Sequence, residues 1–218
     1  MSRKGKIKNF YKTLFNKYGP QYWWPAESKF ECIIGAILTQ NTSWSNVLKS
    51  ISLLKKNDLI SLDKIDAVPL DVLAQIIRSS GYYNQKALKI KRFVNFVIDN
   101  YSGNLSRFLN EDLYTLRNKL LSIKGIGPET ADSIILYAAN KPVFVIDAYT
   151  HRILVRHNLI TEDTDYHGIQ EFFMDSLPED AAMFNEYHAL LVKLGKEHCR
   201  KKNPICDGCP LEMDPHTI

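Results

Sequence analysis

Four groups of residues in this 218-residue chain have the types and spacing that chemistry needs. The first is Ile123-Lys124-Gly125-Ile126-Gly127-Pro128-Glu129-Thr130, the end of an apolar run beginning at Leu120. Gly125 and Gly127 allow a tight turn with available backbone N–H groups, and Pro128 sits where a helix can begin. Turn and helix start together therefore offer donors to an anion, and a phosphate suits them. The second is Asp147, which follows the apolar run Val143-Phe144-Val145-Ile146 and opens a new periodic segment containing Arg152 and Arg156. A carboxylate at a helix start can stabilise a developing cation and can orient or deprotonate an attacking water. The third is Cys199-x6-Cys206-x2-Cys209, three thiols too close in sequence to be unrelated; they signal a metal, and zinc held by three Cys and one His is one reading. The fourth is aromatic: all three tryptophans, Trp23, Trp24 and Trp44, fall in the first fifth of the chain. Each group also has a bland reading, as a turn, a helix cap, inert thiols or core filler.

Composition sets the bounds. The chain is long enough to bury a substantial core in one domain or two small lobes. A net charge of +4 permits a nucleic-acid partner without requiring one. The basic residues cluster: Arg3, Lys4, Lys6, Lys8, Lys12 and Lys17 lie in an N-terminal stretch without acids, and Lys193, Lys196, Arg200, Lys201 and Lys202 lie near the other end. No apolar run approaches the length of a bilayer span and no signal-peptide core follows the basic start, so no membrane association is expected. The expected location is cytoplasmic, on the nucleoid if the source is bacterial. Disulfides are not expected there, and Cys32, inside an apolar stripe, reads as buried packing.

The elements that must position these residues read as helices throughout. Phe10, Leu14 and Tyr18 give a short amphipathic helix ending at Gly19-Pro20. Phe30, Ile33, Ile34, Ile37 and Leu38 form one stripe, and Trp44, Val47, Leu48, Ile51 and Leu54 start another. A short helix is expected over 72–77, and Asn84 can cap a helix running through Val97. One or two helices fill 105–121, and three more are expected near 147–157, 167–177 and 180–196. Only the run 143–146 has any strand character. The fold class is all-α.

The hairpin, Asp147 and the two arginines after it resemble the helix-hairpin-helix and Gly/Pro/Asp signature of the endonuclease III superfamily of DNA glycosylases. Leu38-Thr39-Gln40-Asn41-Thr42 resembles that superfamily's polar turn after its first barrel helix, and Gly81-Tyr82-Tyr83-Asn84-Gln85-Lys86-Ala87 resembles the loop that enters the duplex. The resemblance covers nearly the whole chain. It implies a two-lobed fold, with a six-helix barrel over 26–141, a second lobe from 1–25 and 142–218, and a catalytic cleft between them. It implies Asp147 as the catalytic carboxylate, Gln40 and Tyr82 as fillers of the hole left by an extruded base, and Lys124, Gly125, Gly127 and Thr130 as DNA contacts. The implied partner is double-stranded DNA containing a damaged base, met by a monomer.

The same resemblance extends to the cysteines, which match the first three ligands of the superfamily's [4Fe–4S] loop, Cys-x6-Cys-x2-Cys-x5-Cys. Pro215 stands at the fourth position, so His216 or Asp214 is the candidate fourth ligand beside Cys199, Cys206 and Cys209. Bifunctional endonuclease III carries a lysine nucleophile two residues after the second hairpin glycine; Glu129 stands here, and a monofunctional glycosylase without strand cleavage is expected. Tyr22-Trp23-Trp24-Pro25, with Trp44 beyond the polar turn, is similar to the 3-methyladenine DNA glycosylase III branch, where matching residues wall the base pocket. A cationic alkylated purine suits such π-faces. The alternatives are an endonuclease III-like glycosylase for oxidised pyrimidines or mismatches, with lyase activity, and a non-catalytic helix-hairpin-helix DNA-binding protein.

Overall fold

The structure, a computed structural model, describes residues 2–217. Its helices, in chain order, are α1 (Arg3–Tyr18), α2 (Lys29–Leu38), α3 (Trp44–Lys56), α4 (Leu62–Ala67), α5 (Leu70–Ile76), α6 (Tyr83–Tyr101), α7 (Leu105–Leu109) and α8 (Leu113–Ser122). Then follow α9 (Pro128–Ser133), α10 (Ala148–Arg156), α11 (Tyr166–Met174) and α12 (Ala181–Glu197). A 3₁₀ turn, Arg78–Ser80, precedes α6, and α9 runs on as a π-helical turn over Ile134–Ala138. There is no strand among the described residues, and the apolar run 143–146 is buried without regular structure. No described helix is long and apolar enough to cross a membrane.

The chain divides into two compact units, Met1–Trp24 with Asn140–Ile218, and Pro25–Ala139. In the second of these, α2 is the centre. Ser28 caps it by accepting the Glu31 N–H at 3.1 Å, and the Glu31 carboxylate takes Lys55 of α3 at 3.0 Å. The sequence shows a single apolar stripe on α2, yet every residue from Phe30 to Leu38 is buried. Helices α3, α6 and α9 pack around it. Burial pushes the Cys32 thiol up to about 12, with Glu31 adding to it, which makes it inert packing.

Helix α6 departs from the expected bounds. Its cap is Tyr82, in the left-handed conformation at φ 45° and without a side-chain cap bond, so Asn84 is an ordinary first-turn residue. The helix also outruns Val97, because Tyr101 packs its ring 5.0 Å from Phe108 and gives the last turn a buried anchor. Helices α8 and α9 flank the glycine turn and are locked by Arg117, whose guanidinium meets the fully buried Asp132 carboxylate at 2.7 and 3.1 Å.

The other unit gathers α1, α10, α11 and α12. Ile7, Phe10 and Leu14 supply the buried face of α1, and the buried Tyr187 hydroxyl donates to the Ile7 carbonyl at 2.9 Å. Phe144 stacks on Phe173 at 3.9 Å and is held by Gln170, which donates to its carbonyl at 2.7 Å. Gly195 of α12 allows the closest helix approach: a Cβ there would lie 2.4 Å from the Tyr149 ring of α10.

Candidate active site and nucleic-acid interface

Asp147 is the N-cap of α10, extended at φ −120°, ψ 178°. Its Oδ1 accepts the Thr150 N–H at 2.7 Å, and its Oδ2 lies 3.6 Å from Nε2 of the buried His188 on α12. Burial opposes ionisation of this carboxyl, but the neighbouring His188 imidazole, followed by the Thr150 N–H, outweighs it. They hold Asp147 below the ordinary carboxylate range. The result is a carboxylate kept charged in a setting where charge acts strongly. His188 stands 41 positions away in the chain and had no spacing signal of its own; only the packing of α10 on α12 through Gly195 brings it to Asp147.

Trp23 and Trp24 lie in the same unit as Asp147, half-buried, edge to face at 6.0 Å. The Lys196 ammonium sits 5.8 Å from the Trp23 ring. Pro25, exposed, and Trp44, half-buried at the start of α3, belong to the other unit.

In the unit 25–139, the hairpin is built as the glycines suggest. Gly125 has φ +103°, and a Cβ on it would press to 2.7 Å on the Lys89 stem, so glycine is needed both for the turn and for the close approach of α6. Lys124 and Gly125 are exposed, Gly127 is half-buried and caps α9, and Glu129 is exposed in its first turn. Thr130 is buried: its hydroxyl accepts from Gln40 Nε2 at 2.8 Å, and the same amide reaches the Gly125 carbonyl at 3.3 Å. Gln40 thus braces the hairpin, and Lys89 donates to its amide oxygen. Arg92 donates to the Lys124 carbonyl at 3.3 Å. Tyr82, 72% exposed, shares one surface depression with Gln40, Lys86 and Lys89. Lys89 and Arg92 stand three residues apart on α6, a cationic pair beside the hairpin that sequence periodicity could have revealed.

Cys199, Cys206, Cys209 and His216 line a single cavity with Arg156, His157 and Leu211. Arg156 donates to the Cys199 sulfur at 3.2 Å, and Arg152 to the Cys199 carbonyl at 2.7 Å. Burial first, then Cys199 and Cys206, push the Cys209 thiol up. Among the described residues no three His, Cys, Asp or Glu side chains converge as a single-ion site, so the metal loop is not established as such. The Asp214 carboxylate meets His157 at 3.0 Å and Lys6 at 3.1 Å. Of the two candidates, only His216 faces the cavity.

A helical fold with a glycine hairpin and a charged, half-buried helix-capping aspartate has the make-up of an enzyme that works on duplex DNA. The sequence profile of the HhH-GPD superfamily base excision DNA repair proteins matches residues 34–179, and the chain belongs to that family of DNA glycosylases. A protein of Methanocaldococcus jannaschii whose name assigns it provisionally to the DNA repair glycosylases is 48% identical, over 94% of each chain. An H. pylori 3-methyladenine DNA glycosylase, solved with 1,N6-ethenoadenine, is 32% identical, with TM-score 0.77 over 90% of this chain and 98% of that one. An endonuclease III in a non-covalent DNA complex is 25% identical, with TM-score 0.84 over 99% and 96%.

Proposed function

We propose that this protein is a monofunctional DNA N-glycosylase that removes an alkylated purine, 3-methyladenine above others, from duplex DNA. The carrying observation is Asp147, a half-buried carboxylate held ionised by the neighbouring His188 and the Thr150 N–H. Cleaving the bond between C1′ and the purine sends its electron pair to the base and leaves the sugar with oxocarbenium character. A cationic alkylated purine accepts that pair and leaves neutral, so no general acid is required. Asp147 stabilises the sugar cation and takes a proton from the water whose oxygen then adds to C1′.

The remaining roles follow the same division. The base must leave the stack, which calls for π-faces to receive it, a plug for the gap and anchors on the backbone. Trp23, Trp24, Pro25 and Trp44 are assigned to the base, Gln40 and Tyr82 to the gap, and Lys124, Gly125 and Gly127 to a phosphate. Thr130 is assigned to the same backbone contact, and its hydroxyl, by accepting from Gln40, also fixes that side chain. The relative solved with ethenoadenine supports a purine lesion. The exposed Glu129 supports the absence of lyase chemistry, because no amine stands at that position.

The three thiols opening on one cavity, with Arg156 on the Cys199 sulfur, support the iron–sulfur reading of their spacing. Cys199, Cys206, Cys209 and His216 would hold it. Bound there, it would cross-link the C-terminal loop and supply no step of base removal; zinc is the rival occupant, and an absorption spectrum separates the two.

The test is base release from otherwise identical duplexes carrying defined lesions, with Asp147→Asn as the control. Release of 3-methyladenine ahead of thymine glycol is expected. The reverse order would return the protein to the oxidised-pyrimidine reading, which its backbone likeness to endonuclease III keeps in view. Binding without any release would make it a DNA-binding module.

A further inference from the structure

Lys86 is charged, among the largest fully buried side chains, and 2% exposed. A chain does not bury an ammonium without partners, and here there are two: Nζ donates to the Leu38 carbonyl at 2.9 Å and to the Ser80 carbonyl at 2.5 Å. Leu38 is the last residue of α2 and Ser80 the last of the 3₁₀ turn. Carbonyls at helix ends lack an intrahelical donor and carry partial negative charge, so one cation serves both.

The placement is symmetric about the residues assigned to the duplex gap. Gln40 stands two positions beyond Leu38, and Tyr82 two positions beyond Ser80. Both line the same depression as Lys86. Other contacts hold each segment to something else. Ser79 pairs with Ser50 of α3 at 2.8 Å, which fixes the 3₁₀ turn, and Lys89 and Thr130 engage Gln40. Lys86 is the contact that joins the two segments directly to one cation.

We propose that Lys86 is a positioning residue for base extrusion, tying the ends of α2 and the 3₁₀ turn together so that Gln40 and Tyr82 enter the duplex as one rigid unit. The inference rests on the reading of Gln40 and Tyr82 as gap fillers. Two flexible loops would each lose conformational freedom on entering DNA; a shared clamp removes that loss before the encounter. Burial, with Lys89 nearby, lowers the Lys86 ammonium to about 8, which leaves it mostly protonated at neutral pH. A depressed lysine could also be an amine nucleophile, but both carbonyl bonds commit this one inward.

The experiment compares wild type, Lys86→Met and Lys86→Gln on a duplex with 2-aminopurine beside the lesion, reading fluorescence on binding, single-turnover release, affinity for undamaged duplex and backbone hydrogen exchange. Lys86→Met should lose about tenfold or more in lesion-dependent release and most of the fluorescence change. Its affinity for undamaged DNA should hold, and added exchange should be confined to residues 39–42 and 80–83. Lys86→Gln, which keeps an amide donor, should fall between the two. Equal losses on damaged and undamaged DNA in both variants overturn the proposal, since a merely structural lysine moves them together. Gln40→Ala and Tyr82→Ala are the reference: if they lose the fluorescence change and Lys86→Met does not, only this inference falls. If neither loses it, the gap-filling reading falls and takes the inference with it.

Discussion

The corner around Asp147 and the face around Gln40 and Tyr82 are built on opposite plans. Asp147 is fixed by helix packing: its cap bond, its histidine partner and the Gly195 approach all lie on regular elements, and the carboxylate is nearly enclosed. The residues assigned to DNA entry sit on short turns, Tyr82 exposed in left-handed backbone and Gln40 half-buried, and are tied down by side chains reaching to carbonyls. Catalytic charge gains from enclosure, whereas a surface that must meet an incoming duplex cannot be enclosed and is stiffened from behind instead. Damage to the first region should therefore appear in the chemical step, and damage to the second in DNA engagement.

The largest effect should come from Asp147→Asn, which keeps a cap acceptor but removes the charge. Single-turnover base release should fall by about 10²–10³-fold, with DNA affinity little changed. Retained turnover on every lesion would remove the basis of the contrast. Gly195→Ala comes next, since the new methyl would force Tyr149, two residues from Asp147, out of place. A loss of about 1–3 kcal/mol in unfolding free energy is expected, measured by denaturant titration, with slower release in the folded fraction.

His188→Leu should cost about tenfold in release, since it removes the polar neighbour of the Asp147 carboxylate. It also carries a pH signature. The Asp147 carboxyl is lowered in the folded protein, so its contribution to stability is present above the ordinary carboxylate value and lost as pH falls through the lower folded one. Without His188 the opposing burial is less compensated, and the acid limb of the rate profile should move upward. An unmoved limb would mean that the pair does not act as a unit.

The two plans also explain what the sequence disclosed. Local signals were legible: the Gly125 turn, the Asp147 helix start and the cysteine spacing each lie within a dozen residues, and α1 and α12 follow from their periodicity. What escaped depends on distance in the chain or on an end effect. His188 meets Asp147 only through helix packing, and Lys86 looks like any solvated lysine until the ends of two other segments converge on it. The extent of α6 was set by Phe108, beyond its own sequence window. Asp214 flanks the cysteine pattern, yet Lys6 and His157, from far upstream, claim its carboxylate.

The smallest effect on base release is expected from Glu129→Lys, and it tests whether chemistry is confined to the Asp147 corner. Glu129 is exposed in the first turn of α9, on the unit assigned to DNA engagement, so the substitution should leave folding and the rate of release nearly unchanged. What it adds is an amine where bifunctional relatives carry their nucleophile. That nitrogen can attack C1′ as the base departs, and ring opening then gives an imine between lysine and sugar. Borohydride reduces the imine to a stable amine, so a protein–DNA adduct should appear in the variant and be absent from wild type. An adduct with wild type would overturn the monofunctional reading. If the variant formed none while still releasing base, position 129 would not reach the sugar.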